Sequence, residues 1–111
     1  MIFSKTGNTT IITQERATII ELVSKIEEKH KDFSNDNIIV NLFSVKEMLP
    51  NAINDFLSIS KKHKNESNKS FVIVSSKIKI DDVPEELTIV PTLQEAHDII
   101  EMEEIERDLA I

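Results

Sequence analysis

Ile38-Ile39-Val40-Asn41-Leu42-Phe43 is a short, continuous apolar run with one polar residue. Such a run reads as a strand buried on both faces, a central strand of a helix-covered sheet. Ser34-Asn35-Asp36-Asn37 just before it is a loop of turn-forming residues. Before that loop, residues 15–33 read as an amphipathic helix. Ile19, Leu22, Val23, Ile26, His30 and Phe33 recur at three- and four-residue spacings, with Glu21, Lys25, Glu28, Lys29 and Asp32 mostly elsewhere. Residues 2–13 read as a hairpin. Gly7-Asn8 supplies the turn, and the β-branched Thr9-Thr10-Ile11-Ile12-Thr13 forms the returning strand.

On the other side of the central run, Ser44 to Leu49 reads as a loop, and Pro50 suits the first turn of a helix. That helix is expected to run to about His63, with Leu49, Ile53, Phe56, Leu57 and Ser60 on one stripe. Lys61, Lys62, His63 and Lys64 would then answer the negative end of its dipole. Asn65 to Lys69 reads as a polar loop, and Ser70-Phe71-Val72-Ile73-Val74 as a second buried strand. In Ser75 to Leu87, the residues Ile78, Ile80 and Val83 alternate loosely with Lys77, Lys79 and Asp81-Asp82. Val83 to Leu87 fits one helical turn, and Thr88-Ile89-Val90 a short last strand. Thr92 and Glu95 form a capping box. The helix it opens carries Leu93, Ala96, Ile99, Ile100, then Met102 or Glu103, Ile105 and Leu109, and is otherwise acidic. The predicted order is ββαβαβ(α)βα. It describes a single α/β domain over 1–111, with a mixed, largely parallel sheet, an N-terminal β-hairpin and helices.

Composition narrows the chemistry. The chain has 111 residues, 40% hydrophobic and 30% charged, enough for one core. It has no Cys, which excludes disulfides, a thiolate nucleophile and Cys-bearing zinc sites. One Gly in the whole chain excludes a glycine-rich phosphate loop. The net charge is −7, and the aromatics are five Phe without Trp or Tyr. Both oppose nucleic-acid binding. No apolar run approaches a membrane span, and Met1-Ile2-Phe3-Ser4-Lys5 does not open a secretory signal. A bacterial-type cytoplasmic protein is expected, with no nucleic-acid or membrane partner.

Candidate chemistry is sparse. His30, His63 and His97 lie on different predicted helices with no second His at i+4, and surface or boundary roles account for them. Asp81-Asp82 with Glu85-Glu86 offers at most a weak cation site, without the ligand spacing and Gly of an EF-hand loop. The Lys61–Lys64 cluster either meets an acidic partner or only answers its helix dipole. No Gly-x-Ser-x-Gly elbow exists. The last helix is the least ordinary element. Ile105, Leu109 and Ile111 either fold back over the sheet or form a partner-binding or dimerising strip with an acidic rim.

Several of these strings resemble the STAS domain, the fold of bacterial anti-sigma factor antagonists. Ile38-Ile39-Val40-Asn41-Leu42 looks like the family's strand ending in Asp-Leu, Val72-Ile73-Val74 like its next strand, and Thr88-Ile89-Val90 with Thr92-Leu93-Gln94-Glu95-Ala96 like its final strand and helix. Setting Asn41 on the strand-end Asp puts Leu49-Pro50-Asn51-Ala52 where the family has Asp-Ser-(x)-Gly. Pro50 then stands in place of the phosphorylated hydroxyl, which removes that switch. Ser44, in the preceding loop, is the only alternative acceptor. Short chains similar to this one are sometimes labelled ribonuclease Z. That family uses a His-x-His-x-Asp-His run, which is missing here.

The resemblance implies an exposed contact surface at Val45, Met48, Leu49, Pro50 and Asn51. The alternative is that Val45 and Leu49 tuck under the helix as a hydrophobic staple and Met48 caps the core. The resulting expectation is a non-enzymatic protein-interaction module, regulatory in character, without cofactor or metal. It would be a monomer or weak homodimer that contacts another protein through these residues or through Ile105 and Leu109. A metal-dependent hydrolase with scattered Asp, Glu and His, and a self-associating structural domain, are the alternatives.

Overall fold

Gly7 stands at φ +59°, the left-handed backbone that a two-residue primed turn needs and that glycine adopts without steric cost. It joins β1 (Ile2–Thr6) to β2 (Thr9–Thr13) as an antiparallel pair, with Thr6 opposite Thr9 and Ile2 opposite Thr13. The computed structural model describes residues 2–14, 19–43, 45, 52–76 and 83–109. After the hairpin come α1 (Ile19–Phe33), β3 (Asn37–Asn41), a 3-10 helix (Ala52–Phe56) leading into α2 (Leu57–Ser67), β4 (Phe71–Val74), β5 (Thr88–Val90) and α3 (Leu93–Leu109). β2, β3, β4 and β5 pair in parallel, and the spatial order β1-β2-β3-β4-β5 is the chain order. The protein is α/β, with a five-stranded mixed sheet and three α-helices among the described residues.

The monotonic order decides where the helices go. Parallel crossovers are right-handed, so crossovers that all step in one direction fall on one face of the sheet. Ile12, Ile38, Val40, Phe71 and Ile73 accordingly point to a core shared with Ile19, Leu22, Ile26 and Phe33 of α1 and with Ile53, Phe56 and Ile59. Leu87 completes that core, and Val83 packs against it. The opposite face presents Ile39, Val72 and Val74, which are left for α3 to cover with Ala96 and Ile100. Each fully buried aliphatic side chain contributes about 1.5–3 kcal/mol, so most of the hydrophobic stabilisation lies on the α1/α2 face.

Several boundaries differ from the sequence expectation. The central strand ends at Asn41 rather than Phe43. The Asn41 side-chain Oδ1 accepts the Phe43 N–H at 3.1 Å and turns the chain, leaving Phe43 60% exposed. The burial of this strand on both faces holds from Asn37 to Val40. The second helix does not stop at His63 but continues to Ser67, so the predicted loop at 65–69 is shorter. Asn68 takes up a left-handed conformation (φ 53°) and its N–H bonds the Lys64 carbonyl, a C-cap that Asn tolerates. Val83 to Leu87 forms a hydrogen-bonded turn, Leu87 N–H to Pro84 O at 3.0 Å, rather than a helical turn. The first turn of the predicted first helix (15–18), the loop and Pro50 start of the second apart from Val45, and the alternating stretch 77–82 lie outside the described residues. No described helix is long and apolar enough to cross a membrane.

The capping box forms as expected in one half: the Glu95 N–H donates to Thr92 Oγ1 at 3.2 Å. The returning bond differs, because Glu95 Oε2 accepts from the Thr92 hydroxyl at 3.2 Å.

Candidate functional site

α3 is where sequence and packing leave something unfinished. Its N-terminus lies beside the carboxyl ends of β3 and β4, where Thr92 and Leu93 line a shallow depression with Asn41, Phe43 and Val74. Its other end reaches the amino ends of those strands, so it runs antiparallel to them along the sheet. At about 1.5 Å per residue a helix of 17 residues is about 25 Å long, whereas a five-residue strand spans about 17 Å. The second half of α3 therefore has little apolar sheet to lie on, and its inward contacts become polar.

Those contacts are specific. Glu104 Oε1 accepts from Asn37 Nδ2 at 2.8 Å and from Asn8 Nδ2 at 3.2 Å. Arg107 donates to Ser70 Oγ at 3.1 Å and to Asn37 Oδ1 at 3.3 Å. Asn37 Oδ1 also accepts the Ser70 N–H at 2.9 Å. The network ties the hairpin turn, β3 and the start of β4 to the last turns of α3. Glu104 is thus turned inward as an acceptor for two amides, unlike the exposed carboxylates elsewhere on this helix.

With Ala96, Ile100, Glu104 and Arg107 facing the sheet, the rest of the helix is committed. Met102, Ile105 and Leu109, spaced three and four residues apart, share the opposite face. They are 55%, 53% and 79% exposed. Carboxylates of Glu95, Asp98, Glu101, Glu106 and Asp108 surround this stripe in exposed positions. Of the two readings of the last helix, folding back does not describe Ile105 or Leu109. Ile111 lies outside the described residues.

The other predicted contact residues fall differently. Val45 is half-buried against the α1/α2 core, its N–H bonded to the Leu42 carbonyl at 3.0 Å. Met48, Leu49, Pro50 and Asn51 lie outside the described residues, as does Ser44. Asp81 and Asp82 of the weak cation site do too, and Glu85 and Glu86 are exposed. Lys61 and Lys62 are exposed, while Lys64 donates to the Glu86 carbonyl at 3.2 Å.

The histidines require a correction. His30 and His63 are buried and meet, His30 Nε2 to His63 Nδ1 at 2.8 Å, instead of occupying separate surface or boundary positions. His63 Nε2 lies 2.8 Å from the Asp36 carbonyl and must carry its proton there. His63 Nδ1 is then an acceptor, and His30 supplies the Nε2–H. Burial pushes the His63 pKa down to about 4, against the opposing hydrogen bond to Asp36. His30 is also lowered, by burial and then by the Lys62 charge, with Glu66 opposing. Both rings are therefore neutral at pH 7. Around them, Asp36 Oδ2 accepts from Thr10 Oγ1 at 2.9 Å and pairs with Lys5 Nζ at 3.2 Å. The arrangement joins the end of α1, the loop before β3, and α2.

It offers no reactive surface, because His63 is fully buried and His30 is 7% exposed. Among the described residues, no group of three or more His, Cys, Asp or Glu is placed to hold a metal ion. The sequence carried one signal for this pair: His30 and His63 both stand in phase with the apolar stripes of their helices. No protein-family model matches the chain, and no curated protein matches it.

Proposed function

We propose that this chain is a non-enzymatic binding module of STAS-like fold that works by contact with another protein, in the cytoplasm of a bacterium. The observation that carries the reading is the outward stripe of α3. Met102, Ile105 and Leu109 form a contiguous apolar surface on a helix whose opposite face is already docked. Single exposed apolar residues are ordinary, but an aligned set on a helix face is the pattern of an interface. Each of these side chains, once covered, would contribute about 1.5–3 kcal/mol to association. The STAS-like assignment draws support from the N-terminal hairpin, the parallel strands and the final helix behind a short last strand. Pro50 in place of a phosphorylatable hydroxyl makes the contact constitutive rather than switched at that position.

The test pairs stability with binding. Ile105→Ser and Leu109→Ser alter side chains already in water, so stability stays within about 0.5 kcal/mol of wild type. The same variants lose a protein partner that the wild-type chain captures and then binds again after that partner is purified. Ile20→Ser, an equally exposed apolar site on α1, keeps it. Undiminished binding by both α3 variants would refute the reading.

A further inference from the structure

Resting on the binding-module reading, we infer that the outward face of α3 receives a basic amphipathic helix of the partner protein. Charge carries the argument. Glu101 and Asp108 lie along one flank of the apolar stripe, Glu95 and Glu106 along the other, and Asp98 at its head, all exposed. The helix has two basic residues, and neither offsets this rim. Arg107 is held by Ser70 and Asn37, and His97 is half-buried. A partner that covers Met102, Ile105 and Leu109 must place its own flanking residues against these carboxylates. Lys or Arg there is attracted, and Asp or Glu is repelled.

The geometry selects a helix. The three anchors span about two turns, about 10 Å along the axis, which matches a facing helix with apolar residues at i, i+3 or i+4, and i+7. A second copy of this chain fits poorly. Two α3 faces would bring the two acidic rims together. The basic side of α2 presents Lys61 and Lys62 but no exposed apolar residue, since Ser58, Asn65 and Glu66 are its other exposed positions. A lipid surface fits no better, because helices that lie on membranes carry Lys and Arg, not carboxylates, on their polar face.

The test uses the full chain and a synthetic Leu/Lys peptide of about 18 residues, long enough to hold a helix, with Leu on one face. Its controls are a scrambled peptide of the same composition and a Leu/Glu peptide of the same pattern. The expected result is saturable binding of the Leu/Lys helix, with amide shifts confined to α3 and weakening as salt is raised. The scrambled and Leu/Glu peptides bind at least about tenfold more weakly, and the Ile105→Ser/Leu109→Ser double variant loses about tenfold while keeping its wild-type melt.

Equal binding of the Leu/Glu helix through α3 would overturn the charge assignment and leave the binding-module reading standing. Binding of phosphatidylcholine vesicles through α3 in place of the peptide would make the occupant a bilayer and overturn the inference. Failure of every peptide to bind, or full binding by the double variant, would overturn the inference of a basic helix, whereas the binding-module reading falls only if both α3 variants keep the captured partner.

Discussion

His63 has every ring nitrogen in use inside the fold, and this makes it sensitive to acid. Its Nε2–H is held by the Asp36 carbonyl and its Nδ1 by His30. A proton added to His63 Nδ1 would face the His30 Nε2–H, donor against donor. An unfolded histidine takes its proton near about pH 6.5, whereas folded His63 does so only near about 4. Between those values the unfolded chain binds more protons, so stability is complete above about 6.5 and falls as pH drops towards 4. The slope for one such site is about 1.4 kcal/mol per pH unit. The informative window is about pH 6.5 to 5, between the unfolded value and the folded one. Urea unfolding across that window is expected to show the midpoint falling with pH. A flat midpoint would show that the two rings are not held neutral by burial.

Among the elements, α3 is the one whose docking is least hydrophobic. Ala96 and Ile100 are its buried apolar anchors, and both lie in its first half. Its second half is held by Glu104 and Arg107. Glu104→Ala leaves the buried Asn37 amide without its acceptor, while the exposed Asn8 amide turns to water, and is expected to cost about 1–3 kcal/mol. The loss should be local as well as global. Amide hydrogens from Glu103 to Leu109 should exchange faster, while those of β3 and β4 keep their relative protection. Glu104→Gln retains a carbonyl acceptor and should fall between the two. If exchange in the last turns of α3 is unchanged in Glu104→Ala, the polar clamp does not hold the helix down.

For the molecule as a whole, the net charge of −7 and the acidic surround of the α3 stripe act against self-association. At low ionic strength the chain is expected to be monomeric at micromolar concentration by light scattering. Raising salt towards 1 M shortens the screening length to about 3 Å. That removes most of the repulsion while leaving the apolar stripe in place, so self-association should increase with salt. Ile105→Ser should suppress the increase. Association that weakens with salt would point to an ionic interface elsewhere, with Lys61 and Lys62 the first residues to examine.

Local chemistry determined much of this protein from its sequence. The Gly7 turn, the buried strands around Ile39 and Val72, the amphipathic face of α1 and the Thr92–Glu95 cap each depend on residues a few positions apart, within reach of the backbone periodicities. The stop of α2 was legible only in retrospect, because Asn68 ends it by adopting a left-handed conformation that the composition of 65–69 does not distinguish from a loop. Two features required the tertiary structure. His30 and His63 are 33 residues apart, and they meet because consecutive right-handed crossovers lay α1 and α2 side by side on one face. α3 carries two apolar faces, one with Ala96 and Ile100 and the other with Met102, Ile105 and Leu109, and periodicity does not say which one docks. The apolar sheet face of Ile39, Val72 and Val74 takes up Ala96 and Ile100 with Ile99 packed against them, and Asn37 and Ser70, at the starts of neighbouring strands, give Glu104 and Arg107 hydrogen-bonding partners on the same side. The stripe of Met102, Ile105 and Leu109 is thereby turned to the outside.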